Sequence, residues 1–207
     1  MDFNNTNDSV TRRIRALTER VAGLKEHDLY YLNMPVEEIL PGCKVRLRGR
    51  EMGMYASYSY LGLVGHPRIN EAAKKAVDKF GTVTNGVRLL AGTLTIHKEL
   101  EETIANFKHA EAAVTYSSGY VTNLTVISGL MGRCDYVFSD KLNHASIVDG
   151  CLMSGAEFRR FRHNDMEHLE GLLKNAPADV AKMVVADSVF SMDGDIIDLP
   201  KVLELTK

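Results

Sequence analysis

The sequence has 207 residues, of which 45% are hydrophobic and 25% are charged, and its formal net charge is -2 at pH 7. This composition is typical of a globular protein with a buried core and excludes an intrinsically disordered chain. Acidic and basic residues are interspersed along the chain, which argues against nucleic acid as a partner. No run of about 18 apolar residues is present, so neither a transmembrane segment nor a secretion signal is predicted.

The cysteines favour a reducing compartment. Cys43, Cys134 and Cys151 are an odd number at wide spacing, and they match neither a disulfide framework nor a metal-binding motif. Unpaired cysteines persist where thiols are kept reduced. We therefore expect a cytoplasmic protein without a bound metal.

The first part of the chain is predicted to form a helix and a hairpin. Within residues 11–25, apolar side chains recur every three or four positions, which places them on one face of a helix. The segment through Pro35 and Pro41 is predicted to be irregular, and KVRLRG followed by MYASYS is predicted to form two short strands. We interpret residues 1–56 as an N-terminal arm and residues 57–207 as the main domain.

The main domain is predicted to alternate helices with strands. Helical spacing marks residues 69–80 and 100–107, and Gly81 supplies a stop after the first of these helices. Four apolar runs are predicted strands: AAVTY (112–116), YVFS (136–139), EFRRF (157–161) and KMVVA (182–186). This alternation is typical of an α/β fold with a mostly parallel sheet and flanking helices. Ligands of such sheets bind beyond the carboxyl ends of the strands.

The segment SSGYVTN is the first candidate ligand site. It joins AAVTY to a predicted helix, so its backbone N–H groups and the positive end of the helix dipole would face an anion, usually a phosphate. A Ser-Gly turn also serves as a plain connection between a strand and a helix. The segment is neither a dinucleotide fingerprint nor a Walker loop.

Two further segments follow the next strands and reach the same edge. SDKLNHASIVDG places His144 after YVFS, where a histidine is either a structural helix-capping group or a functional one. ADSVFSMDGD follows KMVVA and supplies four polar residues: Asp187, Ser191, Asp193 and Asp195. The spacing of the carboxylates does not match a calcium loop. We interpret Asp193 and Asp195 as solvated turn residues and Ser191 as a candidate cofactor contact.

Six segments resemble the α-oxoamine synthase family of fold-type I pyridoxal-phosphate enzymes. They are YLGLVGHP, FGTVTNGVRLLAGTLTIHKELE, YSSGYVTN, DKLNHASIVDG, FRHND and VFSMDGD. They occur in the family's order and spacing and cover the chain from about Tyr58 to its end. The family includes 8-amino-7-oxononanoate synthase, 2-amino-3-ketobutyrate CoA ligase, 5-aminolevulinate synthase and serine palmitoyltransferase. The resemblance implies the large domain of a fold-type I transferase.

The resemblance also implies a binding site for pyridoxal 5'-phosphate. Gly119 and Tyr120 fall where backbone amides hold the cofactor phosphate. His144 falls on the catalytic histidine that stacks over the pyridine ring, and Ser191 falls near the cofactor's phenolic oxygen. The positions that the resemblance assigns to cofactor binding are Ser118, Gly119, Tyr120, His144, Asp187 and Ser191.

The reaction implied by the resemblance is a decarboxylative condensation. An acyl thioester carried by coenzyme A or an acyl carrier protein joins glycine, alanine or serine to give an α-amino ketone, in a homodimer with the active site at the interface. Asn85 and Arg88 fall in a segment that lines the route of the acyl donor, which implies substrate binding. Family members commonly have an asparagine before the YLG tripeptide, and here Tyr58, Ser59 and Tyr60 stand in this region. This departure favours a carrier-protein donor.

A larger departure concerns the end of the sequence. The family's Schiff-base lysine and the aspartate that pairs with the pyridine nitrogen lie in later segments, so we expect a fragment that lacks the C-terminal part and is inactive alone. Two alternatives stay open from the sequence. One is a truncated, non-catalytic subunit that supports an active homologue, and the other is a different fold-type I enzyme, such as an aminotransferase or a threonine aldolase.

Overall fold

A computed structural model describes residues 8–30 and 33–207. These residues form two compact units, Met1–Val87 and Arg88–Lys207. The predicted division after residue 56 falls inside the first unit, and residues 1–7 and 31–32 of the predicted arm lie outside the described part. The division into an arm and a main domain therefore stays a prediction. Within the described ranges, no helix has the length and apolar composition needed to span a membrane.

The first unit contains two helices and a small antiparallel sheet. The helices are α1 (Ser9–Glu26) and α2 (Pro67–Phe80), and the strands are β1 (Glu38–Leu40), β2 (Lys44–Leu47) and β3 (Arg50–Gly53), in the order β1-β2-β3. Both predicted helices are confirmed. As predicted, α2 ends at Gly81, whose φ of 77° is in the left-handed region that glycine adopts without strain.

Two predictions for this unit were wrong, one of a strand and one of an irregular segment. MYASYS is not a strand; β2 pairs instead with Arg50–Gly53. The reason is the two-residue turn at Arg48 and Gly49, both with positive φ, which reverses the chain directly after β2. The segment predicted to be irregular contains β1, which pairs with β2 across a turn in which Gly42 and Cys43 also have positive φ.

The second unit is a layered α/β structure. Its strands are β4 (Tyr136–Asp140), β5 (Glu157–Phe161) and β6 (Lys182–Val185), and its helices are α3 (Thr95–Lys108), α4 (Gly119–Leu130), α5 (Ala145–Ser154), α6 (Met166–Lys174) and α7 (Leu199–Leu205). The strand order is β5-β4-β6, and both pairings are parallel. The predicted parallel sheet is confirmed, except that AAVTY is not a strand. The backbone N–H of Thr115 in this run donates to the Glu101 side chain at 3.2 Å rather than to a neighbouring strand.

The central strand β4 divides the core of this unit into two clusters. Val137 and Phe138 are fully buried, and they point to opposite faces because successive strand residues do so. Val137 packs in one cluster with residues of α4 and α5 and of the C-terminal cap of α4: Ile127, Met131, Ile147 and Cys151. Phe138 belongs with Phe161, Leu169, Phe190, Ile197 and Val202. The sheet therefore lies between two apolar layers, and the loops after its carboxyl ends meet along one edge.

Gly150 lets α4 and α5 approach closely. A Cβ at this position would lie 3.0 Å from the backbone oxygen of Asn123 and 3.2 Å from the Ile127 side chain, so a larger residue would push the helices apart. A hydrogen bond of 2.9 Å from Asn123 Nδ2 to Ser146 Oγ connects the N-terminal halves of the two helices. The N-termini of α4 and α5 consequently lie side by side.

Candidate functional site

The N-terminus of α4 presents backbone donors at the edge of the sheet. Ser118 caps this helix of 12 residues, because its Oγ accepts from the backbone N–H of Val121 at 3.2 Å. Within the described part of the chain, the backbone N–H groups of Gly119 and Tyr120 have no acceptor, and a Cβ on Gly119 would meet no atom within 4 Å. Open donors at the positive end of a helix dipole are suited to binding a phosphate.

His144 caps the neighbouring helix α5 and is fixed by Ser146. The Nδ1 atom of His144 accepts from the backbone N–H of Ser146 at 3.2 Å and lies 2.7 Å from its hydroxyl. Because Nδ1 is an acceptor here, the neutral ring carries its proton on Nε2. The hydroxyl of Ser146 in turn accepts from Asn123. The exposed ring of His144 therefore has a defined orientation and tautomer.

Tyr120 links the two helix N-termini. Its ring centroid lies 6.4 Å from that of His144, with an edge-on angle of 79° between the planes. The Tyr120 hydroxyl donates to the Asp149 carboxylate on α5, and this hydrogen bond raises the pKa of the phenol. Tyr120 thus stays protonated near neutral pH and contacts α5 at two places.

Asn143 and Asp187 connect the ends of β4 and β6. The backbone N–H of His144 donates to Asp187 Oδ2 at 2.8 Å, and the backbone N–H of Asp187 donates to Asn143 Oδ1 at 2.9 Å. Asn143 Nδ2 donates to the backbone oxygen of Val185 at 2.7 Å and to Ser139 Oγ at 2.8 Å. Sequence reasoning assigned no role to Asn143. The sequence feature that could have identified Asn143 is its position directly before His144 and shortly after a buried strand.

Residues 187–197 form a hairpin after β6, which we call the rim hairpin. An isolated antiparallel bridge pairs Val189 with Ile196, and the backbone N–H of Phe190 donates to the backbone oxygen of Asp195 at 2.8 Å. Ser191 begins the turn of this hairpin, and its side chain is exposed. The structure brings Asp187 to His144 directly, whereas it records no hydrogen bond of the Ser191 hydroxyl within the described residues.

A second polar cluster lies beyond β4 and β5 and was not identified from the sequence. Asp140 is fully buried, and its carboxylate accepts from His163 Nδ1 at 3.0 Å and from the backbone N–H groups of Leu142 (2.8 Å) and Asn164 (3.0 Å). The other ring nitrogen of His163, Nε2, lies 3.0 Å from Asp195 Oδ2. Asp195, interpreted as a solvated turn residue, is therefore also a partner of His163.

Arg88 belongs to a separate network that precedes α4. Its guanidinium donates to Glu101 Oε1 at 2.8 Å, to Thr115 Oγ1 at 3.0 Å and to Thr93 Oγ1 at 3.1 Å. The hydrogen bond from Arg88, followed by that from the Thr115 N–H, lowers the pKa of Glu101 to about 2. Because Thr115 lies shortly before the Ser118 cap, this network fixes the chain that enters α4.

The predicted site residues therefore fall into three groups. Ser118, Gly119, Tyr120, His144 and Asp187 lie together at the carboxyl edge of the sheet, and Ser191 lies on the rim hairpin. Arg88 lies in the network described above. Asn85 is an exposed residue of the first unit. The individual roles of these residues stay predictions.

Comparison with known proteins identifies the relatives of the chain. The family described as aminotransferase class I and II matches residues 54–207. An 8-amino-7-oxononanoate synthase from Geobacter sulfurreducens is 45% identical over 195 residues, which cover 92% of this chain and 50% of the relative. A serine palmitoyltransferase from S. paucimobilis, with a bound PLP-myriocin aldimine, has a TM-score of 0.92 at 34% identity over 96% of this chain and 50% of that one.

A second serine palmitoyltransferase, from Sphingomonas wittichii, has a TM-score of 0.91 at 36% identity and again covers 96% of this chain and 50% of that one. The chain thus spans about half the length of the relatives it matches. Both 8-amino-7-oxononanoate synthase and serine palmitoyltransferase are α-oxoamine synthases, and the matched half is the N-terminal one.

Proposed function

Since the chain belongs to the aminotransferase class I and II family and, within it, to the pyridoxal-phosphate-dependent α-oxoamine synthases, we propose that it supplies the cofactor-binding half of such an enzyme. The reaction is the condensation of an acyl thioester with glycine, alanine or serine, with loss of carbon dioxide, to give an α-amino ketone. The acyl donor is carried by coenzyme A or an acyl carrier protein, and the active site lies at the interface of a homodimer.

One observation carries this proposal. The open N-terminus of α4, an anion-binding arrangement, lies beside a histidine whose ring is fixed by Ser146 and whose backbone is bonded to Asp187. The site therefore combines a place for the cofactor phosphate with an aromatic ring at its side. Pyridoxal phosphate, when bound, supplies the electron-withdrawing ring that stabilises negative charge on the amino-acid carbon.

The residues at α4 fit the phosphate of this cofactor. The backbone N–H groups of Gly119 and Tyr120 offer two donors, and no side chain at Gly119 obstructs their approach. Ser118 keeps the first turn of the helix in place by accepting from Val121. In the proposed site, these donors bind and orient the phosphate end, and the helix dipole adds to their attraction for its negative charge.

His144 is proposed to orient the ring and the substrate. Its Nδ1 atom is engaged by Ser146, so the plane of the imidazole is set by α5, and the Nε2 proton is available to a substrate carboxylate. Asp187 holds the backbone of His144 from the β6 side. Positioning of this kind accelerates a reaction by fixing which substrate bond is aligned with the ring.

The Schiff-base lysine of the family is proposed to lie outside these 207 residues. Among the lysines of the chain, Lys141 is nearest to His144 in the sequence and is therefore the alternative candidate for the Schiff-base lysine. It is exposed, and its backbone oxygen accepts from Arg160 at 2.7 Å. Borohydride reduction of the chain mixed with pyridoxal phosphate, followed by peptide mapping, tests this point. No stoichiometric adduct is expected, and an adduct at Lys141 would contradict the assignment.

The proposed function is tested by the substitution His144→Asn in a protein that contains these 207 residues together with the proposed lysine segment. Asparagine retains a helix-capping acceptor for the backbone N–H of Ser146 but removes the imidazole. We expect turnover of thioester and amino acid to fall by at least about tenfold, with a much smaller change in bound cofactor. The measurement is release of the thiol carrier set against cofactor absorbance.

The matched control is His109→Asn. His109 ends α3 with a φ of 54°, a conformation that asparagine tolerates, and it is exposed. Turnover of the control variant should stay close to that of the unaltered protein. Equal loss of turnover and cofactor in the His144 variant would assign His144 a structural role, and transamination without any thioester would favour another fold-type I enzyme.

A further inference from the structure

His163 joins three segments that are distant in the sequence. Its Nδ1 atom lies 3.0 Å from Asp140 Oδ1 at the end of β4, and its Nε2 atom lies 3.0 Å from Asp195 Oδ2 on the rim hairpin. The residue itself follows the end of β5. The ring also packs edge-on against Phe190 of the hairpin, with the centroids 4.5 Å apart at 86°. Phe190 is only 2% exposed.

The two short distances favour a protonated ring. A neutral imidazole has one N–H donor and one lone pair, so it can donate to only one carboxylate and would turn its lone pair toward the other. An imidazolium donates to both. The backbone N–H groups of Leu142 and Asn164 also donate to the Asp140 carboxylate. With both carboxylates ionised, the two distances fit an imidazolium that donates to each of them.

The charged groups around the ring agree with this protonation. Asp140 faces it from β4 and Asp195 from the rim hairpin, and both hydrogen bonds raise the pKa of His163, that to Asp140 most. On the segment that contains His163, the nearest charges neutralise each other: Arg162 donates to Asp165 at 2.7 Å. The Nδ1 atom of His168 accepts from the backbone N–H of Arg162 at 3.0 Å.

The rim hairpin is bonded to the sheet edge at both of its ends. Near its start, the Asp187 N–H donates to Asn143. Near its end, Asp195 bonds to His163, and Asn164 Nδ2 donates to the backbone oxygen of Ile196 at 3.0 Å. Ser191 lies between these two attachments, on the exposed turn. The second attachment includes a histidine ring, whereas the first consists of the Asn143 amide, the Asp187 carboxylate and two backbone N–H groups.

We propose that His163, as an imidazolium between Asp140 and Asp195, is a positioning residue that fixes the rim hairpin and thereby the location of Ser191. The cofactor contact of Ser191 rests on the proposed function, but the effect on the hairpin does not. A neutral His163 has a single N–H, so it can donate to only one of the two carboxylates, and the connection between Asp140 and Asp195 through the ring is weakened. The hairpin then opens more often, and Ser191 loses its fixed place at the sheet edge.

Hydrogen exchange of peptides that span residues 187–197 tests the proposal. The variants are His163→Gln, which cannot carry a charge, and Asp195→Asn, which removes the outer carboxylate at an exposed position and leaves the core unchanged. After correction for intrinsic exchange, His163→Gln should raise the hairpin's exchange rate at pH 6 by roughly tenfold or more, since bonds to charged groups are the stronger ones. Asp195→Asn should act in the same direction.

His168→Gln is the matched control, because it replaces another histidine of the same segment that does not bond to the hairpin. Faster exchange confined to the His163 and Asp195 variants, together with faster exchange in the unaltered protein once the pH passes the pKa of His163, is the expected result. Unchanged hairpin exchange in Asp195→Asn and His163→Gln, or an equal increase in His168→Gln, would overturn the proposal. Failure of the unaltered protein to bind pyridoxal phosphate would instead refute the proposed function alone.

Discussion

Two buried carboxylates, Glu101 and Asp140, support the two parts of the candidate site, and they are neutralised by different cations. The Glu101 side chain is 7% exposed and pairs with Arg88, in the network that fixes the chain before α4. Asp140 is fully buried and pairs with His163, in the cluster that holds the rim hairpin. Arginine stays charged throughout the accessible pH range, whereas histidine loses its charge near neutrality.

This difference separates a constant attachment from one that depends on pH. The segment that leads to the Gly119 and Tyr120 donors is bonded to a guanidinium, so its geometry is independent of pH above the low pKa of Glu101. The hairpin that carries Ser191 is bonded through an imidazolium. The end of the candidate site at Gly119 and Tyr120, where the proposed function places the phosphate, therefore stays fixed, while the end at the rim hairpin loosens as the pH rises.

The largest expected effect follows from removing the carboxylate of Asp140. Asp140→Ala removes a fully buried carboxylate and leaves two backbone N–H groups and one ring nitrogen, all in part-buried bonds, without their acceptor. We expect the free energy of unfolding to fall by about 3 kcal/mol, measured by urea denaturation. Asp193→Ala, a change at an exposed carboxylate of the rim hairpin, should stay within about 0.5 kcal/mol. Similar values for both variants would contradict the importance of the buried pair.

The second prediction uses the opposite signs of the two titrations. The raised pKa of His163 means that its contribution is complete below the unfolded value of about 6.5 and is lost as the pH rises through the folded pKa. The lowered pKa of Glu101, about 2, gives a contribution that is present above the unfolded value of about 4.3 and lost as the pH falls. Unfolding curves between pH 2 and 9 should show both losses.

The variant His163→Gln separates these two losses. It should abolish the His163 part of the decline above neutral pH and leave the acid side unchanged, because Glu101 and its partners are unaffected. If the free energy of unfolding declines above neutral pH by the same amount in the variant, the decline is caused by another titrating group.

The sequence allowed the sheet and helices of the second unit to be predicted, because periodicity and strand spacing are local properties. It did not identify Asn143, Asp140 and His163, which connect separate segments of the site, because their bonds span long separations. His163 and Asp140 are 23 positions apart, and Asp187 and Asn143 are 44 apart. AAVTY has the composition of a strand, but the N–H of Thr115 is taken by a side chain. Whether a segment of this composition forms a strand is decided by its tertiary contacts.

The third prediction concerns the geometry of the constant attachment. Arg88 donates through three different nitrogens to Glu101, Thr115 and Thr93, and an ammonium group lacks this planar arrangement. Arg88→Lys should therefore lower the melting temperature by about 2–4 °C even though the charge is retained. Thermal unfolding at pH 7 checks this value. An unchanged melting temperature would mean that charge alone, and not the fork of donors, supports the segment before α4.

The smallest expected effect belongs to the second cation beside Glu101. Lys98 Nζ lies 3.2 Å from Glu101 Oε2, three positions earlier on the same helix, and its side chain is 65% exposed. Solvent weakens such a pair, and ordering the long lysine side chain offsets much of the remaining attraction. Lys98→Gln should change the melting temperature by less than about 1 °C and should leave the acid side of the pH profile in place, since Arg88 still holds the pKa of Glu101 low. If Lys98→Gln were as destabilising as Arg88→Lys, the neutralising charge would be shared between the two cations. The contrast between one constant arginine and one titrating histidine would then no longer describe how the two carboxylates are paired.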